Sequence, residues 1–497
     1  MGIVVRQSIK GTIVNYVGAF VGFLTTFFIL TNYLTEEEIG LTRVLLDAAV
    51  LVAALAQLGT SASIVRYFPY FKNKEKKHNG FLGFSVLIPF AGAVFFCTLY
   101  VLFRQPIVHF FSQNSALFLE YFYYVIPLAV FFIYIGVFET YSSVLQRIVV
   151  PRFIREVGIR VMAIVVYLLW AFRIVTFDQF ILLFVLTYGI AAILNLLYVL
   201  ALKDYSFKPN FSAAKKPLRK NFYYYTAFLF MAAIGGTITA KIDTFMVSSM
   251  MGLKFTGIYT IAYFMAAIID IPFRSLSAIS MPIISGHLKS KDYGKVQDLY
   301  KKVSLNQLIA GSLLFVLIWI NVDSIFAILP NGDRYVSGKY VVLFIALSRL
   351  VDSGFNFGLS ILSLSKYYYY YLFFIFFLSA LTIGTNFIFI PQYGISGAAF
   401  STFLAFVIYN LLVMFIVYKK MKITPFSLPQ LKLLLLILGL LGINYFILYK
   451  FDNPIVDGII RSLIILSIGT FAVLKWKLSE DVDNLWIKVK KKMNVGK

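Results

Sequence analysis

Long apolar stretches recur along the chain at nearly even intervals, each close to the roughly 20 residues that a helix needs to cross a bilayer. They predict about fourteen membrane spans, near 9–31, 41–66, 81–103, 119–144, 154–174, 179–202, 222–249, 256–285, 304–328, 339–364, 368–390, 394–418, 430–449 and 455–474. Short polar connections separate them, so the expected fold is one all-α integral membrane bundle and not a row of soluble domains. The stretch from Ile9 to Thr31 lacks a signal peptide's pattern and is too long for a cleavable one, which makes it the expected first retained span.

Composition strengthens this picture. Of 497 residues, 60% are hydrophobic and 13% charged, with a mean hydropathy of +0.84, where soluble domains have about 45–50% apolar and about 25% charged residues. The single Cys97 excludes a disulfide framework or a thiolate metal site. The net charge of +23 does not point to nucleic acid, because the basic residues sit in the short loops between spans. Those loops alternate by charge. Lys72 to Lys77, Arg147 to Arg155, Lys203 to Lys220, Lys289 to Lys302 and Lys419 to Lys422 fall on the side of the termini, and only Arg104, Arg173, Lys254, Arg334, Lys339 and Lys450 on the other. The positive-inside rule makes the basic face cytoplasmic, with both termini there and Thr35-Glu36-Glu37-Glu38 outside. Leu485-Trp486-Ile487, followed by Lys488, Lys490, Lys491 and Lys492, reads either as a helix on the inner surface or as a solvated tail.

Placing Gly40 over Gly257 aligns two passages, each an outer turn ending in Gly, a long span, an exit and a basic loop. This register lays spans one to six on spans seven to twelve. The expected organisation is an N-lobe at 1–203, a basic cytoplasmic linker at 204–221, a C-lobe at 222–418, two accessory spans at 419–475 and a basic tail at 476–497. An even number of spans per repeat relates the lobes by a pseudo-two-fold axis along the membrane normal, an arrangement that supports rocking between inward-open and outward-open states.

Ionisable residues inside a span cost several kcal/mol on insertion scales of about 2.5–3.5 kcal/mol each, so each one is a functional candidate. Here they form stripes. Span two carries Arg43, Asp47, Gln57 and Ser61 on one face at a 3.6-residue period; span eight carries Tyr259, Tyr263, Asp270, Arg274 and Ser277; span ten carries Arg349, Ser353, Asn356, Ser360 and Ser363. Span one adds a milder stripe through Asn15, Gly18 and Gly22, and span seven adds Thr237, Lys241 and Thr244. Lys241 and Asp243 point about 200° apart on an ideal helix, which leaves Lys241 as the cavity residue. The cations Arg43, Lys241, Arg274 and Arg349 are the candidate substrate-binding groups. Asp47, Asp243, Asp270, Asp352, Glu139, Asn15, Gln57 and Asn356 are candidates for polar lining or ion coupling. The bland alternative is pairing within one helix, since Arg43 with Asp47 and Asp270 with Arg274 are i,i+4, and Arg349 with Asp352 is i,i+3. Pro272 predicts a kink beside Asp270 and Arg274. Arg160 is expected to snorkel, and Gly18 with Gly22 forms a small-residue packing motif. His78, His109 and His287 form no cluster, and no nucleotide-binding loop, nucleophile elbow or metal signature is present, so no enzyme chemistry and no cofactor is expected.

The strings Leu34-Thr35-Glu36-Glu37-Glu38-Ile39-Gly40, Asp243 ahead of Gly252 and Gly257-Ile258-Tyr259, and Ile390-Pro391-Gln392-Tyr393-Gly394-Ile395-Ser396-Gly397-Ala398-Ala399 resemble bacterial Wzx-type polysaccharide flippases. These belong to the multidrug/oligosaccharidyl-lipid/polysaccharide exporter superfamily. The resemblance implies translocation of undecaprenyl-pyrophosphate-linked repeat units of O-antigen, capsule or exopolysaccharide across the bacterial inner membrane. With no nucleotide-binding loop, the energy is expected to come from a gradient, with H+ or Na+ as the candidate coupling ion, or from substrate flow, and a polysaccharide polymerase and glycosyltransferases are candidate partners. A pyrophosphate is a compact anion that needs cationic partners inside the membrane, and Arg can grip its oxygens bidentately. Tyr259 and Tyr263 are candidates for stacking on sugars.

Three other readings compete. Multidrug antiporters of the same superfamily carry acidic cavities and usually twelve spans. A lipid II flippase also has fourteen spans, but the cationic and acidic cluster expected in its first span is not found here. A membrane glycosyltransferase or polymerase would need an acidic or basic catalytic constellation, for which the outer loops are short and poor in acids.

Overall fold

The computed structural model describes residues 3–73, 75–208, 216–446 and 451–494. Regular structure among them is entirely helical, and the chain divides into two compact units, Met1–Thr260 and Ile261–Lys497.

The first unit opens with α1 (Ile3–Leu24), which continues through a π-helical stretch, Thr25–Leu30, into the single turn α2 (Thr31–Tyr33). Next come α3 (Glu36–Ala56), α4 (Thr60–Phe71), α5 (Phe81–Leu102), the short α6 (Arg104–Phe111) and α7 (Ala116–Glu120), and α8 (Val125–Val144). The unit continues with α9 (Val149–Phe153), α10 (Ile159–Ala171), α11 (Phe177–Ala201), α12 (Lys216–Met251) and the start of α13 (Leu253–Ala267). The second unit holds the rest of α13, α14 (Asp270–Lys289), α15 (Tyr293–Ile320), α16 (Val322–Ile328), α17 (Lys339–Phe355), α18 (Phe357–Leu364) and α19 (Tyr369–Met421). It closes with α20 (Leu428–Phe446), α21 (Pro454–Lys475) and α22 (Glu480–Asn494).

Ten helices among the described residues are long and apolar enough to cross a membrane, and Gly332–Phe355 with Phe357–Leu364, bent by 42° at their break, are long and apolar enough only when taken together. Breaks within the other expected spans account for the difference from fourteen. Span five is divided between a π-helical stretch, Ile154–Gly158, and α10. Span eight ends as α13 at Ala267 and restarts as α14 at Asp270, with Pro272 in the new first turn, where its missing N–H costs nothing. The 53-residue α19 contains two expected spans that meet at Gly394, whose φ of +60° is a conformation side-chain-bearing residues rarely adopt.

Span two corrects the sequence reading. Leu58 (φ 49°) and Gly59 (φ 71°) are left-handed and separate α3 from α4, so Arg43, Asp47, Gln57 and Ser61 do not run along one uninterrupted helical face. Gln57 instead accepts a hydrogen bond from Ser61 (2.9 Å), and a Cβ at Gly136 of α8 would press on the Gln57 amide.

The acidic turn before α3 is a helix start. Thr35 Oγ1 accepts from the Glu38 N–H (3.3 Å) and the Glu38 carboxylate accepts from the Thr35 N–H (2.9 Å), a reciprocal cap with Glu36 and Glu37 at the positive end of the helix dipole. Immediately inside it, a Cβ on Gly40 would overlap the carbonyl of Leu253, and a Cβ on Gly257 would overlap the carbonyl of Glu36. The register that lays Gly40 over Gly257 also lays Glu36 over Leu253. The contact is therefore reciprocal, as a two-fold relation between α3 and α13 requires, and only glycine lets the backbones approach so closely.

Candidate functional site

In the first unit the charges converge on Asp47, which is 1% exposed. Arg43, one turn earlier on α3, places Nε 2.8 Å from Asp47 Oδ2, and Lys241 of the adjacent α12 places Nζ 2.6 Å from Oδ1. One carboxylate thus serves two cations. The i,i+4 pair expected within span two is present, but the contact that completes it comes from a residue 194 positions away. Asp243 points elsewhere, as its angular offset from Lys241 requires: it accepts a hydrogen bond from the Tyr259 hydroxyl (2.9 Å). Tyr259 is 2% exposed, so its ring offers no face for stacking on a sugar here, and its observed contact is with Asp243.

Glu139 is not part of this cluster. Its carboxylate pairs with Arg155 (2.7 Å), which also pairs with Glu156 (3.0 Å). Arg160 donates to the carbonyls of Gly18 and Glu156, and Cβ atoms at Gly18 or Gly22 would collide with its side chain. The small-residue motif of α1 is thus a cradle for an arginine of α10. Asn15 is exposed on α1 and joins neither group among the described contacts.

In the second unit, Arg349 of α17 is surrounded differently. Its NH2 donates to the Tyr263 hydroxyl (2.5 Å), its NH1 lies 3.7 Å from Asp270 Oδ2, and its guanidinium sits 5.3 Å from the Tyr263 ring centroid and 5.7 Å from that of Phe406. The intrahelical pairing expected for Arg349 is corrected here: its carboxylate partner is Asp270 of α14, 79 positions away by chain number. Asp352 instead accepts from Asn356 (3.2 Å) and Asn410 (3.4 Å). Tyr263 is engaged with Arg349 and is not a bare stacking platform. Arg274 is on α14, but its side chain lies outside the described residues.

Several functional candidates escaped the sequence reading. Asn410 and Phe406 are on α19, where neither belongs to a charged stripe, so no one-dimensional signal exposes them. Asp457 and Arg461 on α21 are an i,i+4 pair (2.8 Å) of the kind sought elsewhere, but in an accessory span outside the repeat. Asp457 is 2% exposed and also accepts from Ser324 (3.1 Å) and the Phe451 N–H (3.0 Å), while Arg461 donates to Asn444 (3.1 Å). This fully engaged network fastens α20 and α21 to α16.

The family model described as "Polysaccharide biosynthesis protein" matches residues 4–287. No curated protein matches the chain in sequence. Among solved structures, the lipid II flippase MurJ in an inward closed conformation is similar at 15% identity and a TM-score of 0.71, covering 93% of this chain and 98% of that one. An inward-facing multidrug resistance transporter of the MATE family and MOP superfamily is similar at 13% identity and a TM-score of 0.59, covering 85% and 98%. A MOP superfamily transporter from Pyrococcus furiosus, described as having a binding pocket of reversed polarity, follows at 12% identity and 0.54, covering 84% and 95%. At these identities the likeness is one of fold.

Proposed function

Because the chain belongs to the family of polysaccharide biosynthesis proteins, we propose that it is a flippase that moves undecaprenyl-pyrophosphate-linked oligosaccharide units from the cytoplasmic to the periplasmic leaflet by alternating access. The family and the shared fold support reading it as a multi-pass membrane transporter of the flippase type. The finer reading rests on one observation, the two cations Arg43 and Lys241 brought together on Asp47. A pyrophosphate can displace one cation's share of Asp47 and gain charge-assisted hydrogen bonds that neither water nor lipid offers it there. Arg43, Lys241, Arg274 and Arg349 are the proposed pyrophosphate contacts. Both termini and the basic loops are assigned to the cytoplasmic face, and the two six-span lobes to the parts that rock.

The second unit supports a different role. Around Arg349 lie two carboxylates, Asp270 and Asp352, the latter held by amides. These two carboxylates would suit a cation antiporter, the second reading. In the flippase reading they suit a coupling H+ or Na+ at Asp352.

Mass spectrometry of lipid-linked glycans in a deletion strain, with leaflet assignment, tests the proposal. Complete single repeat units held on the cytoplasmic face, relieved by restoring the gene, are expected. Units held on the periplasmic face would replace the flippase with a polymerase, and no accumulation would favour the antiporter.

A further inference from the structure

The chain leaves its last membrane span at Lys475 and begins α22 at Glu480. Between them Lys477 adopts a left-handed turn (φ 47°), and Leu478 and Ser479 are buried. Four residues carry the chain from one helix to the next, so α22 starts close to the end of α21.

Its first turn is pinned there. Asp481 Oδ1 lies 2.8 Å from Lys302 Nζ and Oδ2 accepts from Asn306 Nδ2 (2.7 Å), both on α15; Ser479 donates to Asn306 Oδ1 (2.5 Å). The helix is segregated by charge. Glu480, Asp481 and Asp483 occupy the first turn, whereas Lys488, Lys490, Lys491 and Lys492 crowd the far end. Over 15 residues these ends are about 20 Å apart. Between them Trp486 and Ile487 are 49% and 51% exposed.

We infer that α22 is a binding surface for anionic phospholipid headgroups, with Trp486 and Ile487 set into the interface and the lysine-rich end of the helix toward the headgroups. An anionic leaflet attracts each nearby lysine by about 1 kcal/mol, roughly fivefold in affinity, and repels the acidic turn. Lys302 offsets that repulsion at Asp481, so the pin holds the acidic end against the bundle while the basic end meets lipid. A tryptophan suits the junction because its ring is apolar and its N–H is polar. This surface is independent of what the transporter carries.

Hydrogen exchange of the full-length protein in nanodiscs tests it, with phosphatidylcholine alone or mixed with phosphatidylglycerol. Amides of α22 are expected to exchange about tenfold more slowly in the anionic discs, and the difference should vanish at about 1 M salt, where the Debye length is roughly 3 Å. The K488Q/K490Q/K491Q/K492Q variant should lose the response while α15 and α21 exchange as before, which shows that the bundle is intact. Equal exchange of α22 in both lipids, fast or slow, would overturn the proposal. So would a response that survives in the quadruple variant.

Discussion

The two charged clusters solve the same problem, keeping ions inside a membrane helix bundle, with different partners. Around Asp47 two cations share one buried carboxylate at 2.6 and 2.8 Å. Around Arg349, among the described side chains, one cation meets Asp270 at 3.7 Å, with Asp352 one turn along α17 on amide partners, and leans on a tyrosine hydroxyl and two aromatic rings. The register that pairs Gly40 with Gly257 does not relate them. It lays Arg43 over Thr260, Asp47 over Phe264, Lys241 over Leu24, Arg349 over Phe132 and Asp352 over Ile135. The backbone contact obeys a two-fold relation and the chemistry does not.

The comparison can be broken most severely at Asp47. Asp47→Ala removes the buried carboxylate that two cations share, and losing one partner of a buried pair costs about 3–5 kcal/mol. Thermal unfolding of the purified protein should show it. Asp270→Ala should cost far less, about 1 kcal/mol or under, because Arg349 is looser and keeps its tyrosine. Equal losses would erase the distinction.

Transport sharpens it next. Lys241→Met leaves the Arg43 pair with Asp47 intact, so the fold should hold while export falls about tenfold to a hundredfold, the range for losing a hydrogen bond to a charged group. Arg349→Ala should reduce export similarly, read by the leaflet distribution of lipid-linked units. Normal export in both variants would remove the cationic mechanism.

The shared backbone should respond symmetrically. Gly40→Ala and Gly257→Ala each push a methyl into a carbonyl of the facing helix, an overpacking cost of about 1–3 kcal/mol. Melting curves of the two variants should coincide closely, whereas a large disparity would mean that the reciprocity is only approximate. The smallest effect on stability is expected at Asp352→Asn, under about 1.5 kcal/mol as an isosteric change. Its mark should be kinetic: flipping in proteoliposomes would no longer respond to a proton or sodium gradient. A retained response would move the coupling site elsewhere.

Much of this was legible in one dimension because bilayer thickness imposes a length on every span, and the cost of burying charge makes each intramembrane ion conspicuous. Arg43, Asp47, Lys241, Asp270, Arg349 and Asp352 were all visible for that reason. The breaks were less visible. Pro272 announced the interruption of span eight, but the left-handed turn at Leu58 and Gly59 carries no proline and reads as continuous helix. Glu139 looked available by depth alone, since its partner Arg155 belongs to the next span.

The sequence by itself determined that the protein is a bundle of membrane helices and where its ions lie along them, because hydropathy and spacing are properties of the chain taken locally. Only the tertiary structure decided which ion meets which. Lys241 reaches Asp47 across helices, Arg349 finds Asp270 while Asp352 turns to Asn356 and Asn410, and Gly18 and Gly22 receive Arg160. Partnership in a low-dielectric interior is settled by which side chains packing brings within about 3 Å, and helical spacing within one segment cannot specify that.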